Sequence, residues 1–272
     1  MSEPGESTPN TVPEADTPLD QAALDRAAAI VADAGRLVAF TGAGASTESG
    51  IPDFRSPGGL WDRYDPRDFT IQALRSDPVA YWEHRLEMRE AMDFDWEAVE
   101  PNPAHEAIAR LEAEGPLEAV ITQNVDGLHQ AAGNDSAGVL ELHGTRQAAT
   151  CLGCDQRLDL SILEAKLEQD ALPPRCDHCG GLLKRATVSF GEALPRDVLV
   201  RAKREARECD CLLVVGSSLE VEPAASIPRI AHDAGASVIV VNLEPTPTDE
   251  AAAAVVEGRA GEVLPRLAEQ AI

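Results

Sequence analysis

Four thiols in two tight pairs carry the most specific chemistry in this chain. Cys151-x-x-Cys154 and Cys176-x-x-Cys179 have the spacing of metal-binding turns. Four thiolates suit tetrahedral Zn²⁺ with no coordination position left open, so the expected site is structural rather than catalytic. Duplication of the pair argues against a redox Cys-x-x-Cys, and the acidity of the chain argues against a nucleic-acid zinc ribbon. His178 lies inside the second pair but is not needed as a ligand, and an exposed position is expected for it. Cys209 and Cys211 flank the start of an apolar run and read as buried free thiols.

A second signature is Thr41-Gly42-Ala43-Gly44-Ala45-Ser46, which follows the apolar run 37–40. A buried strand entering a Gly-x-Gly turn can cradle a pyrophosphate, because the glycines admit a close backbone approach and the next helix offers its N–H groups and dipole. An ordinary tight turn has the same pattern. Thr47 stands at the sixth position, where the dinucleotide fingerprint wants Gly or Ala, and Pro52-Asp53-Phe54-Arg55 interrupts before any acidic residue of a second strand. Polar groups also follow later apolar runs: Thr122-Gln123-Asn124-Val125-Asp126-Gly127-Leu128-His129 after 119–121, His143-Gly144 after 139–142, Gly216-Ser217-Ser218 after 212–215, and Asn242-Leu243-Glu244 after 238–241. In an open α/β sheet such strand ends converge on one crevice. A histidine after a buried strand is, taken alone, more often a structural hydrogen-bonder than a base.

The elements that must position these groups alternate. Helical spacing covers 24–34, with Leu19 and Asp20 before it and Gly35 as a left-handed stop. Asn102 caps a helix over 103–114 that Gly115 closes. Further helices are expected over 158–167, 195–208, 224–234 (short or kinked at Pro228) and 261–271, and a strand over 186–190. Residues 58–100 are mixed and aromatic and read as short helices in a mobile insertion beside the crevice.

The chain has 272 residues, enough for one large domain carrying a smaller insertion. Asp and Glu outnumber Lys and Arg by 47 to 23, a net charge of −24, which argues against non-specific nucleic-acid binding. The acidic residues are spread over every segment. A merely acidic mesophilic protein fits that pattern, and so does a surface adapted to concentrated salt, the reading we favour. No apolar run approaches a membrane span, no export signal is evident, and the paired thiols point to a reducing cytoplasm. Residues 1–18 read as a disordered acidic tail.

Taken together and in order, these motifs resemble the sirtuins, the NAD-dependent protein deacylases, from about Leu24 to the end of the chain. The acidity adds a halophilic archaeal origin to the expectation. The resemblance implies a Rossmann-like NAD-binding domain over 19–145 and 186–272, a helical insertion at about 57–100 and a zinc module over 146–185. It implies that Gly42, Ala43, Gly44, Ala45 and Ser46 cradle the NAD pyrophosphate. Asp53, Phe54 and Arg55 would belong to a loop closing over the nicotinamide ribose, with Trp61 also a cofactor contact. Gln123 and Asn124 would hold that ribose, and Val125 and Asp126 the carboxamide. Gly216, Ser217, Ser218, Asn242, Leu243, Glu244 and Ala260 would meet the adenosine half.

His143 matches the family's general base, and its place beside the ribose motif reverses the structural reading. The implied reaction starts when the acyl-lysine oxygen attacks C1′ of the ribose and expels nicotinamide. His143 then draws a proton from the ribose diol, the 2′ oxygen attacks, and water releases lysine and 2′-O-acyl-ADP-ribose. The peptide is expected as an added strand between Gly191 and Leu219-Glu220-Val221, with Val188 and Phe190 along the acyl tunnel. Ala186-Thr187-Val188-Ser189 departs from the Pro-x-Val-Val usual before Phe-Gly-Glu, and Ser217 sits where Thr is common. Acetylated protein lysines are the implied partners, and no nucleic acid or membrane. Mono-ADP-ribosyl transfer and removal of a longer acyl chain are the alternatives. Relatives that prefer succinyl-lysine carry Tyr-x-x-Arg on the insertion; here Tyr81 is followed three residues on by His84, Met88 aligns with the arginine while a shifted helical register would instead bring Arg85 into the tunnel, and Glu83 and Glu87 add negative charge. An apolar or acidic wall and a preference for acetyl are therefore expected.

Overall fold

The computed structural model describes residues 19–51, 64–91, 94–96, 98–169 and 171–272. The expected tail 1–18, and Asp53, Phe54, Arg55 and Trp61, lie outside the described residues. A six-stranded sheet runs in the order β3-β2-β1-β7-β8-β9 with every pairing parallel. Its strands are β1 (Leu37–Thr41), β2 (Leu117–Thr122), β3 (Val139–Glu141), β7 (Cys211–Val215), β8 (Ser237–Asn242) and β9 (Ala254–Glu257). β1 and β7 are buried at every position, as strands covered on both faces must be. One face is covered by α1 (Gln21–Ala32), α4 (Pro103–Glu114) and α9 (Ala260–Ala271), the other by α7 (Arg196–Glu208) and α8 (Ile227–Asp233).

A second sheet is antiparallel, β5-β4-β6, from β4 (Gly144–Cys151), β5 (Arg157–Asp159) and β6 (Leu183–Thr187). With α6 (Leu160–Glu168) it shares a core with the insertion helices α2 (Ile71–Ser76) and α3 (Pro78–Ala91). Ile71, Leu74, Tyr81 and Trp82 pack on Ala149, Leu163, Leu167 and Leu183, and on Cys151 and Cys176. The insertion is thus one body with the thiol-bearing sheet.

The capped helix after Asn102 has the expected bounds, and Asn102 and His105 form a reciprocal capping box. Several elements differ from expectation. α1 ends at Ala32, and Gly35 has no left-handed φ; its N–H donates to Asp210 Oδ2 at 3.0 Å, and a Cβ there would sit 3.2 Å from that oxygen. The strand expected over 186–190 is β6, which ends at Thr187 and belongs to the small sheet. β4 has few apolar residues and β9 only alternates, so neither carries a strong strand signal. Two single 3₁₀ turns, Ala43–Ala45 and Thr47–Ser49, follow β1 in place of the expected helix. Any anion held there meets individual N–H groups, with little helix dipole behind them.

Candidate active site

The carboxyl ends of the parallel strands open into a cleft of about 1690 Å³ that reaches across to β6, α3 and α6. The crevice rule therefore holds, and the volume exceeds the roughly 300–1,000 Å³ of common small-ligand pockets. Of the sequence-derived residues that are described, all line the cleft except Ala45 and Leu219 among the proposed contacts, and the four thiols. Ala45 is fully buried behind the glycine loop, and Leu219 is buried against the α7–α8 side at φ +56°.

The glycine turn expected to cradle phosphate is pressed against a second loop. Gly44 N–H donates to Gly216 O at 2.9 Å, and Gly42 N–H to Val215 O at 3.0 Å. A Cβ on Gly42 would lie 2.7 Å from Gly216 O, so the backbone gap excludes any side chain. Gln123 Nε2 donates to Ser217 Oγ at 2.8 Å, which ties the second strand end to the fourth.

Ser46 is the hub of a buried network. Its hydroxyl donates to Asp126 Oδ2 at 2.9 Å and accepts from Asn124 Nδ2 at 3.0 Å. His105 Nε2 lies 3.3 Å away, while its Nδ1 accepts from the Asn102 N–H, so Nε2 carries the proton and donates to Ser46. Burial pushes His105 down to about 4 and His129 down to about 3, which keeps both imidazoles neutral. His105 was not anticipated from sequence, although the capping box at Asn102 was an available signal; His129 stood at the end of the polar motif 122–129 with no role assigned to it.

His143 stands at the mouth of the small sheet. Its Nδ1 donates to Gln123 O at 2.8 Å, which leaves Nε2 as the basic nitrogen. Burial lowers its pKa below the usual 6.5, and the bond to Gln123 partly offsets this. Val188 N–H donates to His143 O at 2.8 Å, so His143 and the expected acyl-tunnel wall are held by one another. Lys184, nearly fully buried, pairs with Glu192 at 2.9 Å and also donates to Thr187 O. Glu192 in turn accepts the Ser189 N–H at 2.9 Å, which fixes the turn carrying Phe190 and Gly191.

The four cysteines meet as expected, with all Sγ atoms within 4.8 Å of one another. Cys151 and Cys179 sulfurs are 3.4 Å apart. Zn–S bonds of about 2.3 Å in a tetrahedron put sulfurs about 3.8 Å apart, so the cluster fits zinc. Gly153 and Gly181 N–H groups donate to Cys151 and Cys179 sulfurs at 3.3 and 3.4 Å, a support that thiolates use. His178 is exposed, and Cys209 and Cys211 are buried free thiols, as expected.

The wall formed by α3 departs from expectation. Glu83 and Glu87 are exposed and do not line the cleft, whereas Arg85, Met88 and Arg89 do.

A parallel sheet with a glycine cradle at its switch point, joined to a four-thiol module across a cleft, defines a Rossmann-like nucleotide-using enzyme with a structural zinc. Comparison with known proteins narrows this. The Sir2 family pattern matches residues 42–223. An NAD-dependent protein deacetylase of Haloarcula marismortui is 47% identical over 253 residues, covering 93% of this chain and 96% of its own. A solved structure from a study of the mechanism and regulation of Sir2 enzymes superposes with a TM-score of 0.81 at 46% identity, covering 92% of this chain and 98% of its own. A Sir2 complex with a p53 peptide and NAD⁺ superposes at 0.77 with 37% identity, covering 89% and 95%. The chain belongs to the Sir2 family.

Proposed function

We propose that the protein removes acetyl groups from protein lysines with NAD as co-substrate, yielding nicotinamide, free lysine and 2′-O-acetyl-ADP-ribose. The observation that carries this reading is His143: neutral, lining the cleft, with Nδ1 committed to Gln123 O and Nε2 left basic. The Ser46 network supports assigning Asn124 to the ribose and Asp126 to the carboxamide, because one hydroxyl orients both side chains. The glycine gap between 42–44 and 216 supports pyrophosphate binding there. Zinc, held by the four cysteines, supplies structure and leaves no open coordination position for chemistry.

We place the substrate strand between Gly191 and Glu220-Val221, all of which line the cleft. We divide the chain into a nucleotide domain over 19–145 and 186–272 and a zinc module over 146–185, since β4 and β6 leave the parallel sheet together at Gly144 and Thr187. Among the described residues no helix is long and apolar enough to cross a membrane. Reduced thiols support a cytoplasmic setting, and the −24 charge supports adaptation to salt.

Acetyl-lysine peptide incubated with and without NAD, followed by mass spectrometry, tests the activity. Loss of 42 Da, on the order of one acetyl group, with matching acetyl-ADP-ribose is expected only with NAD. Transfer of label from NAD to protein, with no acetyl-ADP-ribose, would replace this reading with ADP-ribosyl transfer.

A further inference from the structure

Five of the chain's 23 lysines and arginines fall within the 13 residues of α7: Arg196, Arg201, Lys203, Arg204 and Arg207. In a chain of net charge −24 this helix reverses the local balance. Helical spacing sorts its residues into faces. Ala202 and Ala206 are buried, with Val198 and Leu199 packed beside them on the sheet. Glu205 is also buried, and Arg201 and Arg204 pair with it at 3.6 and 2.8 Å. Among the described residues no carboxylate lies within ion-pair distance of Arg196, Lys203 or Arg207. These three, with Val200, recur at i, i+7, i+11 and i+4 and form the outward stripe. Arg207 Nη1 donates to the Lys203 carbonyl at 3.2 Å, which lays it along the helix. Val200, in the middle of the stripe, is 62% exposed. The exposed acids of the helix, Asp197 and Glu208, sit roughly a quarter turn round the axis.

The stripe starts at the cleft and leads away from it. Arg196, at the head of α7, lines the cleft together with Leu194 and Leu199, a few residues after Gly191 of the proposed peptide site. At 1.5 Å per residue Arg207 lies about 16 Å beyond Arg196. A short peptide strand held at Gly191 ends near Arg196, whereas a folded protein that offers its lysine to the cleft continues over the stripe. Separated cations around an exposed valine suit a protein face with a few carboxylates, apolar at its centre and polar at its rim. Duplex nucleic acid carries a charge about every 1.7 Å and would have to approach a molecule of net charge −24.

We propose that the outer face of α7 is a docking surface for an acidic face of the acylated protein, next to the lysine that enters the cleft. The inference rests on the deacylase reading and adds to it a choice among protein substrates by surface charge, made away from the residues that flank the lysine.

The test uses a small folded carrier protein with one acetyl-lysine in an exposed loop. It is made with Asp and Glu on the face beside the loop, or with Asn and Gln at the same positions, and an acetyl peptide of the loop sequence is the control. Wild type is compared with Lys203→Gln/Arg207→Gln and Lys203→Glu/Arg207→Glu, in one KCl concentration at which each unfolds cooperatively on heating; neither position lines the cleft. Wild type should turn over the acidic carrier with kcat/KM about fivefold or more above the amidated one, and the ratio should drop to about one in the Gln variant and below one in the Glu variant. The peptide should be deacetylated equally by all three. A ratio that is the same in wild type and both variants, or a peptide that loses as much as the carrier, overturns the proposal. So does a wild-type dimer that the variants make monomeric, which would assign the stripe to a second copy, or duplex DNA binding that they lose while the carrier ratio stays. If wild type does not turn over the acetyl peptide, the deacylase reading has failed instead. Calorimetric binding of the acidic carrier to wild type and to the Glu variant then still reads the stripe, and equal affinities overturn it.

Discussion

Replacing Gly216 by alanine should separate the two loops of the proposed phosphate cradle. The residue sits at φ +59°, and an added Cβ would lie 2.3 Å from Ala45 N and 2.5 Å from Gly44 C. Both are backbone atoms and cannot rotate aside. Restoring ordinary contact moves the loops apart by about 1 Å, an overpacking that costs roughly 1–3 kcal/mol. Left-handed backbone on a residue with a Cβ adds about 1–2 kcal/mol. The summed penalty, on the order of 2–5 kcal/mol, lowers Tm by roughly 4–9 °C in a chain of this size. The displacement falls where pyrophosphate is proposed to bind, and a misplacement of about 1 Å can cost about 100-fold in kcat/KM. Gly235→Ala supplies the comparison. Its φ is +101° with nothing within 4 Å of the added Cβ, so it bears the conformational cost alone, at the amino end of β8 and away from the cleft. Thermal unfolding and calorimetric NAD binding of the two variants decide the matter. Equal Tm and equal NAD affinity would refute the close-approach argument.

His143→Ala should lower kcat by about 10²–10⁴ while NAD affinity holds, because the imidazole is placed for proton transfer; near-normal turnover rejects the assignment. In the wild type the acid limb of kcat/KM should fall below pH 6.5, since burial depresses this pKa and activity is lost only as pH drops through it; a limb above 6.5 contradicts the buried neutral imidazole. Cys176→Ala should lose both metal and activity, because structural zinc contributes about 10–16 kcal/mol of binding energy to folding; elemental analysis finding no zinc in active wild-type protein would remove the premise. Melting temperature should rise between low and molar KCl, as the Debye length shrinks from about 10 Å at 0.1 M to about 3 Å at 1 M and screens the −24 surface; a flat or falling Tm counts against salt adaptation.

What sequence disclosed was whatever is local. The glycine turn, the cysteine pairs, the Asn102 cap and the apolar runs of β1, β7 and β8 each lie within a few consecutive residues. The small sheet was hidden because β4 and β6 have few apolar positions and are held by pairing and by the thiol cluster rather than by burial on two faces. β9 was hidden because an edge strand with alternate exposure needs no apolar run. Least legible was the side of the cleft that α3, β4 and β6 share. Arg85, Arg89, Arg146 and Arg185 come from three elements, and the helical register that turns Glu83 and Glu87 outward becomes visible only when α3 packs on the small sheet.

The core shared by α3 and the thiol-bearing sheet gives the metal a reach that its chemistry lacks. Tyr81 and Trp82 line the cleft and at the same time rest on the cluster that includes Cys151 and Cys176. A chelator that strips zinc therefore slackens the floor beneath one jaw of the active site without touching NAD or the acylated lysine. Inhibition of that kind sets in at the rate of metal loss, is not relieved by more substrate, and reverses when zinc is returned to a chain that has kept its parallel sheet.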